Sequence, residues 1–466
     1  MIKLNIRLNK ARGKLFFMMV NNNTKNVNKK TVYLTTYGCQ MNISDSERME
    51  GQLKTMGYSK TENMEIADLI ILNTCCVRES AENKIHGKIG EIKRLKLEKP
   101  NLIFGITGCM AQKDGDALFI KAPHIDFVLG TNKVHELLTV IKEVQASNGH
   151  VVELSAGDSD IPRNIPTQRN GSISAWVPIM YGCNNFCTYC IVPYVRGRER
   201  SRALEDVVGE VKDVIAKGFK EVTLLGQNVN SYGKDQQGPD FADLLKAVDE
   251  VNGIERVRYM TSHPRDLSDK AIAVIKNSTH ICEQFHLPIQ YGSNKLLKAM
   301  NRGYTIEYYR DLVKKIRDAV PLASITTDLI VGFPGETEED FQQMLDFLKE
   351  IRYDMAYTFL YSKRSGTPAA TMENQVPQDV KKKRLQMLMD VQNQISLEIN
   401  QQLDGKILEV MVEGPSRTEE NVLSGRTRTN KILLWNKQGT ENIGDFVRVK
   451  VTHAQTWILK GELIAD

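Results

Sequence analysis

Between residues 31 and 370 the chain alternates short β-rich runs with helical patterns, and that rhythm leaves few folds open. Residues 31–148 read "TVYLTT" before "SDSERMEGQLKTMG", "ADLIILNT" before "RESAENKIHGKIGEIKRL", "NLIFGIT" before a short helix, and "IDFVLG" before "NKVHELLTVIKEV". Strands joined through helices run parallel, with the helices covering the sheet, so an α/β unit of the Rossmann or flavodoxin kind is expected. A polar stretch at 149–172 reads as a linker. The rhythm resumes over 173–402 with "WVPIMYG", "EVTLLGQN", "RVRYMTSHP", "QFHLPIQ", "SITTDLIVGFPG" and "MAYTFLYS". Six such units predict an open (β/α)6 partial barrel rather than a closed barrel of eight. "ENQVPQDVKKKRLQMLMDVQNQISLEINQQ" follows as one long amphipathic helix with Pro377 near its start. Over 403–466 the pattern changes to short β runs separated by turns, which predicts a small antiparallel β-barrel of the oligonucleotide-binding kind.

Composition narrows the setting. Hydrophobic content of 41% and charged content of 26% are those of an ordinary soluble globular chain. No apolar run is long enough to span a bilayer, so no membrane partner is expected. Residues 1–30 carry eight Lys/Arg and no acid and read as a basic disordered leader; without them the formal charge falls from +5 to −3. Nucleic-acid binding must therefore rest on local patches, not on net charge. Eight cysteines without a secretory signal point to a reducing, cytoplasmic compartment, where thiols serve metals or catalysis.

The cysteines fall into two trios. Cys183, Cys187 and Cys190 crowd the loop "GCNNFCTYC" after the first strand of the second block, where α/β barrels collect their chemistry. A closed zinc site needs a fourth ligand, and no histidine lies between His150 and His263. A [4Fe–4S] cubane on three thiolates leaves one iron open to a small chelating molecule. Cys39, Cys75 and Cys109 are far apart in sequence, yet each sits just past the end of a predicted strand. In a parallel sheet those ends share one edge, so the three thiols converge. Buried small hydrophobes, or zinc with His86, are the other readings of this trio. Cys76 rivals Cys75, but neighbours in an extended segment point to opposite faces, so one of the two binds. Cys282 reads as core filler.

The C-x3-C-x2-C spacing, with Tyr189 before its last cysteine, resembles the radical S-adenosylmethionine superfamily. The resemblance implies that methionine's amino and carboxylate groups chelate the open iron, and that one electron releases a 5′-deoxyadenosyl radical. Tyr189 would lie near the adenine, while Gln227 and Asn228 at the end of "LLGQN" would meet the methionine. "GFPGETEEDF" is a strand-to-helix turn in which Thr337 and Asp340 have capping-box spacing, with glycines that also admit a ligand.

"TYGCQMNISDSE", "NTCCVRESAE", "GCMAQ" and "IVPYVRGRERSR" extend the resemblance to the methylthiotransferases, closest to those acting on isopentenylated adenosine in tRNA. It covers roughly residues 31–466 and includes a final barrel of the TRAM type. In that family the middle cysteine directly follows "NT", which selects Cys75. Cys76 and Tyr291 stand where relatives carry smaller residues. The resemblance implies two [4Fe–4S] clusters, the second carrying sulfur, and two equivalents of S-adenosylmethionine per turnover. One methylates the sulfur by polar transfer; the other yields the radical that abstracts the adenine C2 hydrogen. Implied partners are a tRNA anticodon stem-loop, an electron donor of flavodoxin or ferredoxin type, and a donor that restores the sulfur; a monomer is expected.

For RNA, Arg196, Arg198, Arg200 and Arg202 alternate and would line one face of an extended segment, suited to phosphates; salt-bridged surface arginines are the other reading. Arg426, Arg428 and Lys431 form a second basic cluster in the last barrel. The same chemistry on threonylcarbamoyl-adenosine or a ribosomal-protein aspartate is the alternative substrate reading. A non-enzymatic iron–sulfur protein that binds RNA or carries electrons is the alternative of another class.

Overall fold

The structure is a computed structural model, which describes residues 30–76, 79–147, 149–155, 161–171 and 173–464. The expected leader lies outside the described residues, apart from Lys30.

The first unit is a six-stranded sheet built from β1 (Thr31–Thr36), β2 (Ser59–Lys60), β3 (Leu69–Thr74), β4 (Ile103–Gly108), β5 (Phe127–Leu129) and β6 (Val151–Glu153). Its order is β2-β1-β3-β4-β5-β6 and every pairing is parallel. β3 ("LIILNT") is buried along its whole length, as a central strand covered on both faces must be. The order reverses between β1 and β3, and open α/β sheets bind ligands at the carboxyl ends of strands beside such a switch point. β6 lies inside the stretch expected to be linker, where Val151 pairs with Phe127.

The second unit carries β7 (Ser174–Pro178), the short β8 (Met180–Tyr181) and β9 (Arg200–Ser201), then β10 (Glu221–Leu225), β11 (Arg256–Tyr259), β12 (Gln284–His286), β13 (Ser324–Val331) and β14 (Met355–Leu360). Two parallel three-stranded sheets, β7-β10-β11 and β12-β13-β14, are joined by a parallel bridge from Val257 to Ile281. The expected open six-stranded partial barrel is thus present. β8 and β9 pair antiparallel and close the neck of the loop that holds Cys183, Cys187 and Cys190. At that neck the φ of Gly182 is +78°, and a Cβ there would fall 1.9 Å from the Arg198 carbonyl oxygen, so only glycine lets the two sides meet. The long helix Gln378–Gln401 begins directly after Pro377 and packs on β14.

The last unit is a closed barrel of β15 (Ile407–Pro415), β16 (Val422–Thr427), β17 (Ile432–Asn436), β18 (Phe446–Ala454) and β19 (Leu459–Leu463), ordered β15-β16-β17-β19-β18. It is not wholly antiparallel, because β17 and β19 run parallel. Val410, Leu433, Trp435 and Val449 are among the residues that fill it.

This barrel docks on the partial barrel at the N-terminal ends of its strands. Arg256, at the start of β11, donates to Glu409 and to the Arg426 carbonyl. Arg428 donates to Glu283 through both Nε and Nη2, and to the Thr279 and Ile281 carbonyls. Lys431 donates to Asp354 at 2.7 Å and to Asn400 at 2.9 Å. Arg426, Arg428 and Lys431, expected to meet RNA phosphate, make protein contacts in this structure. Arg428 and Lys431 are spent on docking, Arg426 pairs with Glu413 at 2.8 Å, and the cluster sits at the edge opposite the cysteine loop.

Candidate active site

Cys39 precedes the helix Gln40–Thr55, three residues beyond β1; Cys75 directly follows β3, and Cys109 directly follows β4. β3 and β4 are in register up to Thr74 and Gly108, which brings Cys75 and Cys109 side by side. Gly38 brings Cys39 in from the other side. A Cβ on Gly38, whose φ is +148°, would stand 2.9 Å from the Cβ of Cys75 and 2.7 Å from the Asn42 amide oxygen. A buried amide lattice fixes this approach: Asn73 donates to the Asn42 carbonyl and to Ser46, and Asn42 donates to Asn73 and to the Thr74 carbonyl. The three thiols therefore gather at the edge where the strand order reverses.

The surroundings are charged. Cys109 is drawn down to about 6, first by a hydrogen bond with Cys76 and then, against the cost of burial, by Arg196. Cys76 is pushed up by the same hydrogen bond and by burial. It packs in the core cluster with Ile85, Ile106 and Ile191. His86, the partner that a zinc reading required, is exposed on its helix. Among the described residues no three His, Cys, Asp or Glu side chains close around a single ion.

Cys183, Cys187 and Cys190 lie in the loop closed by β8 and β9. Burial raises Cys183 to about 11 and Cys190 to about 12. Arg302, wholly enclosed, donates to the Cys187 sulfur at 3.2 Å, to the Tyr189 hydroxyl at 3.4 Å and to the Pro288 carbonyl at 2.6 Å. Burial also raises Tyr189, which stands against Cys187 and Cys190. Gln227 accepts from the Gly182 amide at 2.6 Å and so braces the neck of the loop. Asn228 donates to Asp266 and accepts from the His263 amide, so it fixes the turn after β11.

Around these strand ends several buried polar atoms have no hydrogen-bond partner among the described residues: both side-chain atoms of Asn230, the Ser262 hydroxyl and both ring nitrogens of His263. His263 is 4% exposed, and burial, then Arg302, push its pKa down to about 2. Orphaned buried donors and acceptors are rare in folded proteins, and each calls for a partner such as a water, an ion or a polar ligand. Sequence reasoning singled out Gln227 and Asn228 but missed Asn230, His263 and Arg302; "TSHP", noted only as part of a resemblance, was the available signal.

The arginine run does not form one solvated face. The segment Val192–Arg196 is a helix, so alternation does not apply to it. Arg196 is 3% exposed and paired with Asp45 at 3.1 Å. Arg202 donates to Glu210 at 2.6 Å and to the Pro178 carbonyl. Arg200 donates to the Arg196 carbonyl at 3.3 Å. Arg198 is exposed and lies over the Phe186 ring. The carboxylates that claim Arg196 and Arg202 are supplied by other elements.

The comparisons with known proteins agree with this layout. Residues 31–130 match the Uncharacterized protein family UPF0004, residues 177–348 the Radical SAM superfamily and residues 401–464 the TRAM domain. A tRNA-2-methylthio-N(6)-dimethylallyladenosine synthase of Carboxydothermus hydrogenoformans is 53% identical over 440 residues, covering 94% of this chain and 100% of that relative. The chain belongs to the tRNA-2-methylthio-N(6)-dimethylallyladenosine synthase family. Another member, from Desulforamulus reducens, is 52% identical over 443 residues, 94% of this chain and 96% of its own. Among solved structures, the radical S-adenosylmethionine methyltransferase TsrM from Kitasatospora setae shares the fold, with a TM-score of 0.54 at 14% identity over 85% of this chain and 78% of its own.

In this member of the synthase family the Radical SAM match, residues 177–348, contains Cys183, Cys187 and Cys190, and the UPF0004 match, residues 31–130, contains Cys39, Cys75 and Cys109. None of the eight cysteines is joined in a disulfide, and each trio is a donor set that could hold an iron–sulfur cluster. The orphaned polar atoms of Asn230, Ser262 and His263 suit a polar cofactor such as S-adenosylmethionine.

Proposed function

We propose that this chain transfers a methylthio group to C2 of N6-isopentenyladenosine, at the nucleotide just 3′ of the anticodon in tRNA. The observation that carries this reading is the span from Cys190 to Arg196. The helix Val192–Arg196 rises about 7 Å. At its end Arg196 lies beside Cys109, Asp45 and Cys39 of the first unit. Two thiol trios on different units thus border one another.

In this reading Cys183, Cys187 and Cys190 hold one [4Fe–4S] cluster, and Cys39, Cys75 and Cys109 hold another. Tyr189, Asn230, Ser262 and His263 surround S-adenosylmethionine, of which each turnover consumes two equivalents. When bound, these groups supply a carbon-centred radical and a transferable sulfur, as the unactivated adenine C2–H bond requires. The protein's own part is positioning. Arg302 steadies Cys187 and Tyr189, Gln227 braces the loop, and Asn228 holds the turn that carries His263. A flavodoxin- or ferredoxin-type donor supplies electrons, and a separate donor restores the sulfur.

Nucleoside mass spectrometry of tRNA from a strain lacking this gene tests the reading. The isopentenyl nucleoside should accumulate without its methylthio group. The wild-type gene should restore the group, and a Cys39→Ala copy should not. Undiminished methylthiolation in the deletion strain would refute the assignment.

A further inference from the structure

The loop between Cys183 and Arg198 carries three flat side chains on its outer side. Tyr194 is 49% exposed on the helix Val192–Arg196. Its ring meets Phe186 edge-on, with centroids 6.1 Å apart. The Arg198 guanidinium lies 4.4 Å from the Phe186 ring centre. An isolated exposed aromatic needs no explanation, but here an exposed ring is held edge-on by a second, half-buried ring whose face carries an exposed guanidinium, and such grouped surface marks an interaction site.

Backbone geometry adds a second, independent observation. Phe186 has φ +46°, a left-handed conformation that costs a bulky residue free energy. It is retained because Asn301 donates to the carbonyls of Asn185 and Phe186, at 3.2 and 3.1 Å, and Arg265 donates to the Asn185 side chain. The loop is therefore clamped from beneath with Phe186 held in a strained shape. Placement is the third observation. Phe186 immediately precedes Cys187, and Tyr194 lies two residues before Arg196, which adjoins Cys109.

We propose that Phe186, Tyr194 and Arg198 form a base-stacking platform at the entrance between the two cysteine trios, where an unpaired base of the RNA substrate docks. The proposal rests on the reading of the substrate as a tRNA loop. Unpaired RNA bases are held by stacking on aromatic rings and arginine planes, and this platform offers both. Its single cation suits a polyanionic strand. Tyr194 contacts the docked base directly, while Phe186, perpendicular to it, buttresses the Tyr194 ring and Arg198 lies over the face of Phe186.

The test uses the full chain, anaerobically reconstituted, and a fluorescein-labelled anticodon stem-loop RNA carrying N6-isopentenyladenosine. Loss of one base–aromatic stack weakens binding by about tenfold or more, so Tyr194→Ala should raise Kd and KM by that factor. Tyr194→Phe, which keeps the ring, should restore binding to within about twofold. Iron content and RNA-independent cleavage of S-adenosylmethionine should stay at wild-type levels in both. Unchanged RNA affinity in Tyr194→Ala would overturn the proposal. So would unchanged affinity with slower reduction by flavodoxin, because the surface would then serve a protein partner. If the wild-type protein binds this RNA through Tyr194 yet never methylthiolates it, the substrate reading fails and the platform stands.

Discussion

Arg196 and Asp45 meet at 3.1 Å, with side chains 3% and 5% exposed, across the junction of the first sheet and the partial barrel. Burial works against the charge of Arg196, yet Cys109, Asp45 and Cys39 together hold it charged. Asp45 sits on the helix Gln40–Thr55 whose first turn follows Cys39. One ion pair thus ties the loop of one trio to the elements of the other.

Removing one partner strands the other charge in a buried site, which costs about 3–5 kcal/mol. Arg196→Met should therefore lower the urea midpoint markedly, whereas Arg196→Met with Asp45→Leu should recover much of the loss. Equal stability in wild type and Arg196→Met would show that the pair does not couple the two units.

The docking of the last barrel gives a separate prediction. Arg428→Ala leaves Glu283 without its bidentate partner, and Lys431→Ala leaves Asp354 uncompensated. The double variant should expose the segment before residue 403 to limited proteolysis and release the last barrel at protease levels that leave wild type intact. RNA affinity of the remaining intact protein should change little, since neither side chain faces the cysteine edge. A large loss of affinity with unchanged proteolysis would return these residues to RNA binding.

His263 supplies a pH dependence. Burial holds its pKa near 2 in the fold, against about 6.5 in an unfolded chain. Below about pH 6.5 the unfolded state takes up a proton that the fold refuses, so this residue costs stability progressively as pH falls. The limiting slope is about 1.4 kcal/mol per pH unit. His263→Asn should flatten the fall in urea midpoint between pH 6.5 and 5, and parallel curves for variant and wild type would contradict the assignment.

The hydrophobic runs made most of the architecture legible. β3 is apolar along nearly its whole length because it is central, and the six runs of the partial barrel all became strands. β2 and β6 escaped notice because two or three residues leave too little periodicity. The helix after β1 begins at Gln40 rather than near Ser44 and buries Ser44, Asp45, Ser46 and Glu47, since it lies between two units and does not face water. The convergence of Cys39, Cys75 and Cys109 could be read from strand-end placement, and the grouping of Cys183, Cys187 and Cys190 from their spacing. The arginines could not: Asp45, Glu210, Glu283 and Asp354, which claim Arg196, Arg202, Arg428 and Lys431, are distant in sequence or on other elements. Pairings of that kind are set by the assembled units, not by local pattern.

The central claim is that two separate thiol trios each hold a cluster. Iron and acid-labile sulfide counted per chain after anaerobic reconstitution test it most directly. Wild type should hold about eight irons, and replacing either Cys39, Cys75 and Cys109 or Cys183, Cys187 and Cys190 with alanine should leave about four. About four irons in wild type, unchanged when Cys39, Cys75 and Cys109 are removed, would contradict the account.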